Sequence, residues 1–287
     1  MVEISEASVL LMERTRYKLE QKLSDKGVCV TEGEDMNSLV NKVDKIGQND
    51  LLYDFIQGNL TEFALLDKSI TTISSVLPFA QIGEIVTKLY IPYINQAQTL
   101  FGGNNGTRKA SQLLHINATG LVSTTANYGL AYMPKLTNLV LPQYSSSAPN
   151  DLGVLAGNNA MERFIAPKFA LYARLTPNTL PNLKIIDIKR GQIEASCQSL
   201  KTIIFRYTGT TVPVLTNSSY LPADVEIYIP QSMIELYQSA TNWSAFTDNY
   251  ISLEGSKYES EDWYKTEDWY LEEMAVWHGY ESEVIEW

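Results

Sequence analysis

A short apolar run returns through the middle of this chain at a fixed interval. It appears as KLYIP at Lys88–Pro92, LLHIN at Leu113–Asn117, NLVLP at Asn138–Pro142 and RFIAP at Arg163–Pro167, each starting 25 residues after the last. Two columns carry the recurrence: Leu89, Leu114, Leu139 and Phe164, and two residues on, Ile91, Ile116, Leu141 and Ala166. Residues i and i+2 of a strand share a face, so each pair points one way and the constant spacing sets equal strands side by side. Later runs keep the form with looser spacing, at Ile186 and Ile188, Ile203 and Phe205, and Ile227 and Ile229. An earlier one is expected within EFALLDKSITTIS, residues 62–74.

A period of 20–29 residues built on Leu-x-Leu strands predicts an α/β repeat fold, a short and irregular leucine-rich-repeat solenoid with a parallel sheet. The stretches before the strands agree. AYMPKLTNLVLP, AGNNAMERFIAP, NTLPNLKIIDIK and ASCQSLKTIIFR share a small residue, a polar turn, an apolar position and then the strand. A β-solenoid of another kind is the alternative architecture.

Three regions follow. Residues 1–58 form a helical N-terminal attachment or oligomerisation region. Val9, Met12, Leu19 and Leu23 precede Gly27, and Met36, Leu39, Val40, Val43 and Ile46 precede Gly47, which is helical periodicity with a glycine stop. Residues 59–253 form the repeat region with a strand–helix cap, and 254–287 form an acidic, aromatic-rich tail. The tail repeats EDWY six residues apart and holds four of the five tryptophans. Acidic disordered tails are poor in aromatics, so Trp263, Trp269 and Trp277 are expected to pack, on their own chain or on a partner.

The residues between the two core columns point to the opposite face of the sheet: Tyr90, His115, Val140, Ile165, Asp187, Ile204 and Tyr228. Five of the seven are aromatic or aliphatic, too many for a face that only meets water. Tyr90, His115, Val140, Ile165, Ile204 and Tyr228 are therefore a candidate contact surface.

Charge and chemistry narrow the function. The net charge is −11, and eleven acidic against two basic side chains from Glu254 onward put about −9 of it in the tail. The rest is near neutral and shows no basic stripe, so a nucleic-acid partner is not expected. No apolar stretch approaches the length of a membrane span, and no secretory signal opens the sequence. The two cysteines, Cys29 and Cys197, read as isolated thiols rather than a disulfide framework. The histidines are His115, in a strand, and His278, in the tail, with no zinc-ligand spacing around them. FGGNNGT at Phe101 lacks the Lys-Ser/Thr of a phosphate loop and reads as a turn. No catalytic residue, cofactor or metal site is expected, and an enzyme, of polysaccharide-acting type, is the weakest alternative.

The repeat units resemble the bacterial-surface-antigen-like (BspA-type) leucine-rich repeat over roughly residues 85–250. The ending DVEIYIPQSMIELYQSATNWSAFTDNYISL is similar to that family's terminal strand and helix, with Tyr237, Ala240, Trp243 and Phe246 in the lid positions. The small number and irregularity of the repeats resemble the modules of bacteriophage tail and fibre proteins. LMERTRYKLEQKLSDKGVCVTEGEDMNSLVNKVDKIG is similar to a helical opening common in phage virion proteins. The resemblance implies a structural protein of a phage virion, in the tail, baseplate or a fibre, with a host-attachment or assembly role. The implied partners are itself, as a homo-oligomer with a trimer favoured, other virion proteins, and a host surface protein or glycan. The alternative is a bacterial cell-surface adhesin whose export signal is missing from this chain.

Overall fold

A computed structural model describes Glu20, Ser38, and residues 61–64, 68, 71–73, 85–97, 110–124, 130–145, 155, 157–175, 180–193 and 196–277. Glu20 and Ser38 are each helical; the remainder of the two expected N-terminal helices, with Cys29, the FGGNNGT turn, His278 and Trp287, lies outside the described residues. The chain divides into two compact units, Met1–Leu60 and Thr61–Trp287. The second takes in the acidic tail together with the repeats.

Within that second unit the strands run in chain order: β1 Glu62–Ala64, β2 Thr72–Ile73, β3 Lys88–Tyr90, β4 Gln96–Ala97, β5 His115–Asn117, β6 Ser123–Thr124 and β7 Asn138–Val140. They continue as β8 Arg163–Leu175, β9 Ile185–Ile193, β10 Thr202–Phe205, β11 Glu226–Ile229 and β12 Tyr250–Ser252. Strands β7 to β12 make a six-stranded sheet in unbroken sequence order, and β1-β3-β5 and β2-β4-β6 make two three-stranded sheets. Every pairing among them is parallel. Alternation of β1, β3, β5 with β2, β4, β6 means that each early unit gives one strand to each of two sheets.

A recurrent turn builds each unit. Immediately before the strands, Leu113, Leu136, Met161, Leu183, Leu200 and Val225 each donate a backbone N–H three residues back, to Ala110, Met133, Asn158, Leu180, Cys197 and Pro222 respectively. These donors are the apolar positions that the sequence places ahead of each strand, and all six are buried. A second turn closes the early strands in the same way, from Ile94 to Ile91, Leu121 to Ala118 and Tyr144 to Leu141. Tight turns set these units close together: a Cβ on Gly120 would overlap the carbonyl oxygen of Pro92 in the neighbouring turn.

The register confirms part of the 25-residue spacing and corrects part of it. Leu139 pairs with Phe164, as expected. Beyond them Phe164 pairs with Ile186, Ile186 with Ile203, and Ile203 with Ile227, and all of these are fully buried. Strands β3 and β5 differ: Leu89 lies opposite Ile116, not Leu114, and Tyr90 lies opposite Asn117, not His115. The offset there is 27 residues. A slip of two preserves which face each residue occupies, where a slip of one would invert the strand, so the longer connection is absorbed without exposing the core. Leu113 takes the buried place before the strand and Leu114 is 44 % exposed. The earlier run expected within residues 62–74 supplies β1, with Phe63 opposite Leu89.

The cap also differs from expectation. After β11 the chain forms a short helix, α1 (Ile234–Ser239), and a 3-10 segment, Trp243–Asn249. Trp243 and Tyr237 pack their rings 5.2 Å apart, Trp243 meets Phe205 at 6.1 Å, and its Nε1 donates to Pro213 O at 2.7 Å. This covers the inner columns. The chain then adds β12 beside β11, so α1 crosses between two parallel strands rather than ending the sheet.

The corrected register makes neighbouring leucines unequal. Leu113→Ala is expected to cost about 2–5 kcal/mol, as core truncations do, whereas Leu114→Ala should stay within about 0.5 kcal/mol. Urea unfolding of the two variants checks this; a larger loss for Leu114→Ala would restore the 25-residue pairing at β5.

Candidate interaction surface

The outer face of the six-stranded sheet presents Val140, Ile165, Asp187, Ile204, Tyr228 and Ile251 in one row across neighbouring strands. A parallel sheet with apolar residues on both faces needs cover on both. The cover here is the chain's own tail. Past β12 the backbone turns at Gly255, whose φ of +76° lies in the left-handed region that favours glycine. It then returns over the sheet through a 3-10 turn, Trp263–Thr266, and a helix, α2 (Asp268–Ala275). Ile165 and Ile204 are sealed beneath Leu253, Tyr258, Trp263 and Tyr264, with Val140, Ile185, Tyr228, Trp269 and Tyr270 packed around them.

Aromatic rings carry the contact in a chain. Tyr228 meets Tyr258 at 4.5 Å, Tyr258 meets Trp263 at 4.7 Å, and Tyr264 meets Tyr270 at 4.9 Å, each near edge-to-face. Such pairs add about 0.5–1.5 kcal/mol beyond area burial. Arg163 lies 5.0 Å over the Trp269 ring. At the far end Trp277 is buried 5.1 Å from Tyr90 and 6.5 Å from His115. His115 shares the outer face with Tyr90 but lies level with Lys88, and its Nδ1 is 2.9 Å from Glu273 Oε1 on α2.

The centre of the row is the one charged member, Asp187, which has no exposed surface. Arg206 donates to both of its oxygens, from Nε at 2.7 Å and an Nη at 2.8 Å, and Trp263 Nε1 donates to Oδ2 at 2.7 Å. Burial pushes the Asp187 carboxyl above its ordinary range, and Arg206 and Trp263 oppose that rise. The same guanidinium donates to three tail carbonyls, Tyr258 O at 2.9 Å, Glu259 O at 3.1 Å and Ser260 O at 3.2 Å. One residue therefore neutralises the buried carboxylate and ties down the tail. Sequence reasoning missed Arg206. Its position, two residues past Ile204 on the same face and one strand from Asp187, was the available signal.

The six residues offered as a contact surface thus do not form an open one. Ile165 and Ile204 are closed off, Val140 and Tyr228 are half-buried against the tail, and Tyr90 and His115 meet Trp277. Trp263, Trp269 and Trp277 pack on their own chain. Cys197, outside the face, is held as a neutral thiol by burial, which pushes it up to about 11.

No protein-family model matches the sequence, and no curated protein matches it.

Breaking the link between Asp187 and the tail should be costly. Removing one partner of a buried ion pair leaves the other charge uncompensated, at about 3–5 kcal/mol. Arg206→Met is therefore expected to lower the unfolding free energy by about that amount and to open the tail to trypsin at Lys257 and Lys265. A loss below about 0.5 kcal/mol with an unchanged digest would show that the tail is held elsewhere. Val140→Glu should likewise loosen the tail, read as a red shift and stronger acrylamide quenching of tryptophan emission; unchanged emission would mean that Val140 lies outside the packed face.

Proposed function

We propose that this chain is a structural interaction protein of a bacteriophage particle, in its tail, baseplate or a fibre, built on a short leucine-rich-repeat solenoid. The observation that carries the solenoid is the repeated turn–strand unit. Six strands are introduced by the same backbone turn, an N–H bonded to the carbonyl three residues back, and five of them, β7 to β11, stack in parallel and in chain order. A chain organised this way invests its residues in an extended surface rather than in a convergent set of reactive groups. The virion assignment rests on the likeness of the irregular repeats and of the N-terminal 11–47 stretch to phage components.

The covered outer face moves the contact role to other surfaces. In this reading residues 1–58 attach the protein to the particle or to sister subunits, and the rim of the sheet and the outer side of the tail meet protein or host cell. The outer side of the tail keeps Glu259, Glu261, Asp262, Asp268 and Glu272 in water or half in it, so its partner there would be polar or basic rather than apolar.

Peptide mass spectrometry of purified virions tests the class. Peptides of this chain, at a ratio to the major tail proteins that does not change with further purification, are the expected result. Their loss on purification, or their recovery from the bacterial envelope instead, would overturn the particle assignment and favour the surface adhesin.

A further inference from the structure

The described residues of the outer face leave an opening. Past the carboxyl ends of β3, β5 and β7, the sheet-end turns and the tail enclose a groove of about 460 Å³, within the range of small-ligand sites. Tyr90, Asn117 and Gln143 stand on the sheet side, and Asp262, Tyr264 and Tyr270 on the tail side.

Two amide side chains give the groove its character. Asn117 is only 7 % exposed, and its Oδ1 is occupied by Thr119, from Oγ1 at 3.1 Å and N at 3.4 Å. Its Nδ2 has no partner among the described residues. Gln143 repeats the arrangement on the next turn: Oε1 accepts from Lys168 Nζ at 2.8 Å, and Nε2 has no partner among the described residues. In both, the occupied oxygen orients the amide and leaves N–H donors uncommitted.

The tail side supplies the complement. Asp262 is an acceptor whose charge is balanced by Lys265 Nζ at 2.8 Å, with Tyr264 OH at 3.4 Å. Tyr270 is half-buried and adds an aromatic wall. A phosphate would require an uncommitted cation, and the lysine lining the groove is already paired. A peptide strand would require a row of open backbone groups, and the groove lies beyond strand ends rather than along an edge. An apolar ligand would leave the amides and carboxylate unmatched. A ligand with many neutral hydroxyls and apolar C–H faces satisfies all of these groups together.

The geometry points to a binding site for a neutral saccharide in this groove. It rests on the reading of the chain as an interaction protein and names the partner class for one part of its surface.

The test uses the ¹⁵N-labelled full chain, titrated with lactose, maltose, cellobiose and N,N′-diacetylchitobiose, with inorganic phosphate alongside. At least one disaccharide should shift the side-chain amide signals of Asn117 and Gln143 in a saturable way. Gln143→Ala, exposed and away from the core, should weaken that binding about fivefold, the usual consequence of one lost hydrogen bond, with an unchanged melting temperature. The inference is overturned if no disaccharide moves those amides, if phosphate moves them more, or if Gln143→Ala binds as well as the parent. Saccharide binding by a chain absent from virions would sink the particle assignment and keep the groove. A chain present in virions that binds no disaccharide would do the reverse.

Discussion

A carboxylate placed in the middle of an apolar sheet face has to be paired or protonated, and much of this structure follows from how Asp187 is paired. Its position in the row between Ile165 and Ile204 removes it from water entirely. Desolvating a carboxylate costs several kcal/mol unless good partners replace the lost hydration. Arg206 and the Trp263 indole supply three directed hydrogen bonds. Arg206 has donors left over, and these reach the backbone of residues 258–260. The pairing thereby selects where the tail crosses the sheet. Apolar packing alone is non-directional; the guanidinium fork gives it a register.

The remaining architecture can be understood as the covering of a two-faced sheet. The inner columns, from Leu139 to Ile227, are covered by the units' own turns and, at one end, by Tyr237 and Trp243. The outer row is covered by the tail. Burying Ile165 and Ile204 contributes about 1.5–3 kcal/mol each, and the aromatic pairs add to it. Most acidic side chains of residues 254–277 stay exposed while the tryptophans and tyrosines turn inward; Glu267 and Glu273 are half-buried, the latter against His115. Residues 254–277 are thus a packed strap despite carrying eight acidic against two basic side chains.

Much of this was legible in the sequence. The inward and outward residues of β7 to β11 follow from strand alternation and a few apolar pairs, and the segment before the strands was visible as a small residue, a polar turn and an apolar position. Two features of greatest consequence were not. The register at β5 depended on a connection two residues longer than the period, and LLHIN offers Leu113, Leu114 and Ile116 as competing core residues; only the pairing decides among them. The fate of the outer row was also missed, although both halves of the answer were present. The row had too many apolar residues for water, and the tail had too many aromatics for disorder. Uniting them required the long-range contact between Asp187 and Trp263, 76 residues apart, which no local pattern encodes.

The Trp263 indole reports most directly on whether the tail is seated on the sheet. Its N–H donates to a carboxylate with no exposed surface, so it can exchange with solvent only when the tail lifts. In amide and indole hydrogen exchange followed by NMR, with Trp263→Phe used to assign the signal, this N–H should be among the slowest indole protons of the protein. It should also gain speed in Arg206→Met. An indole N–H at Trp263 that exchanges as fast as a solvent-exposed tryptophan in the native chain would contradict the account, because Asp187 would then need another partner and the outer face another cover.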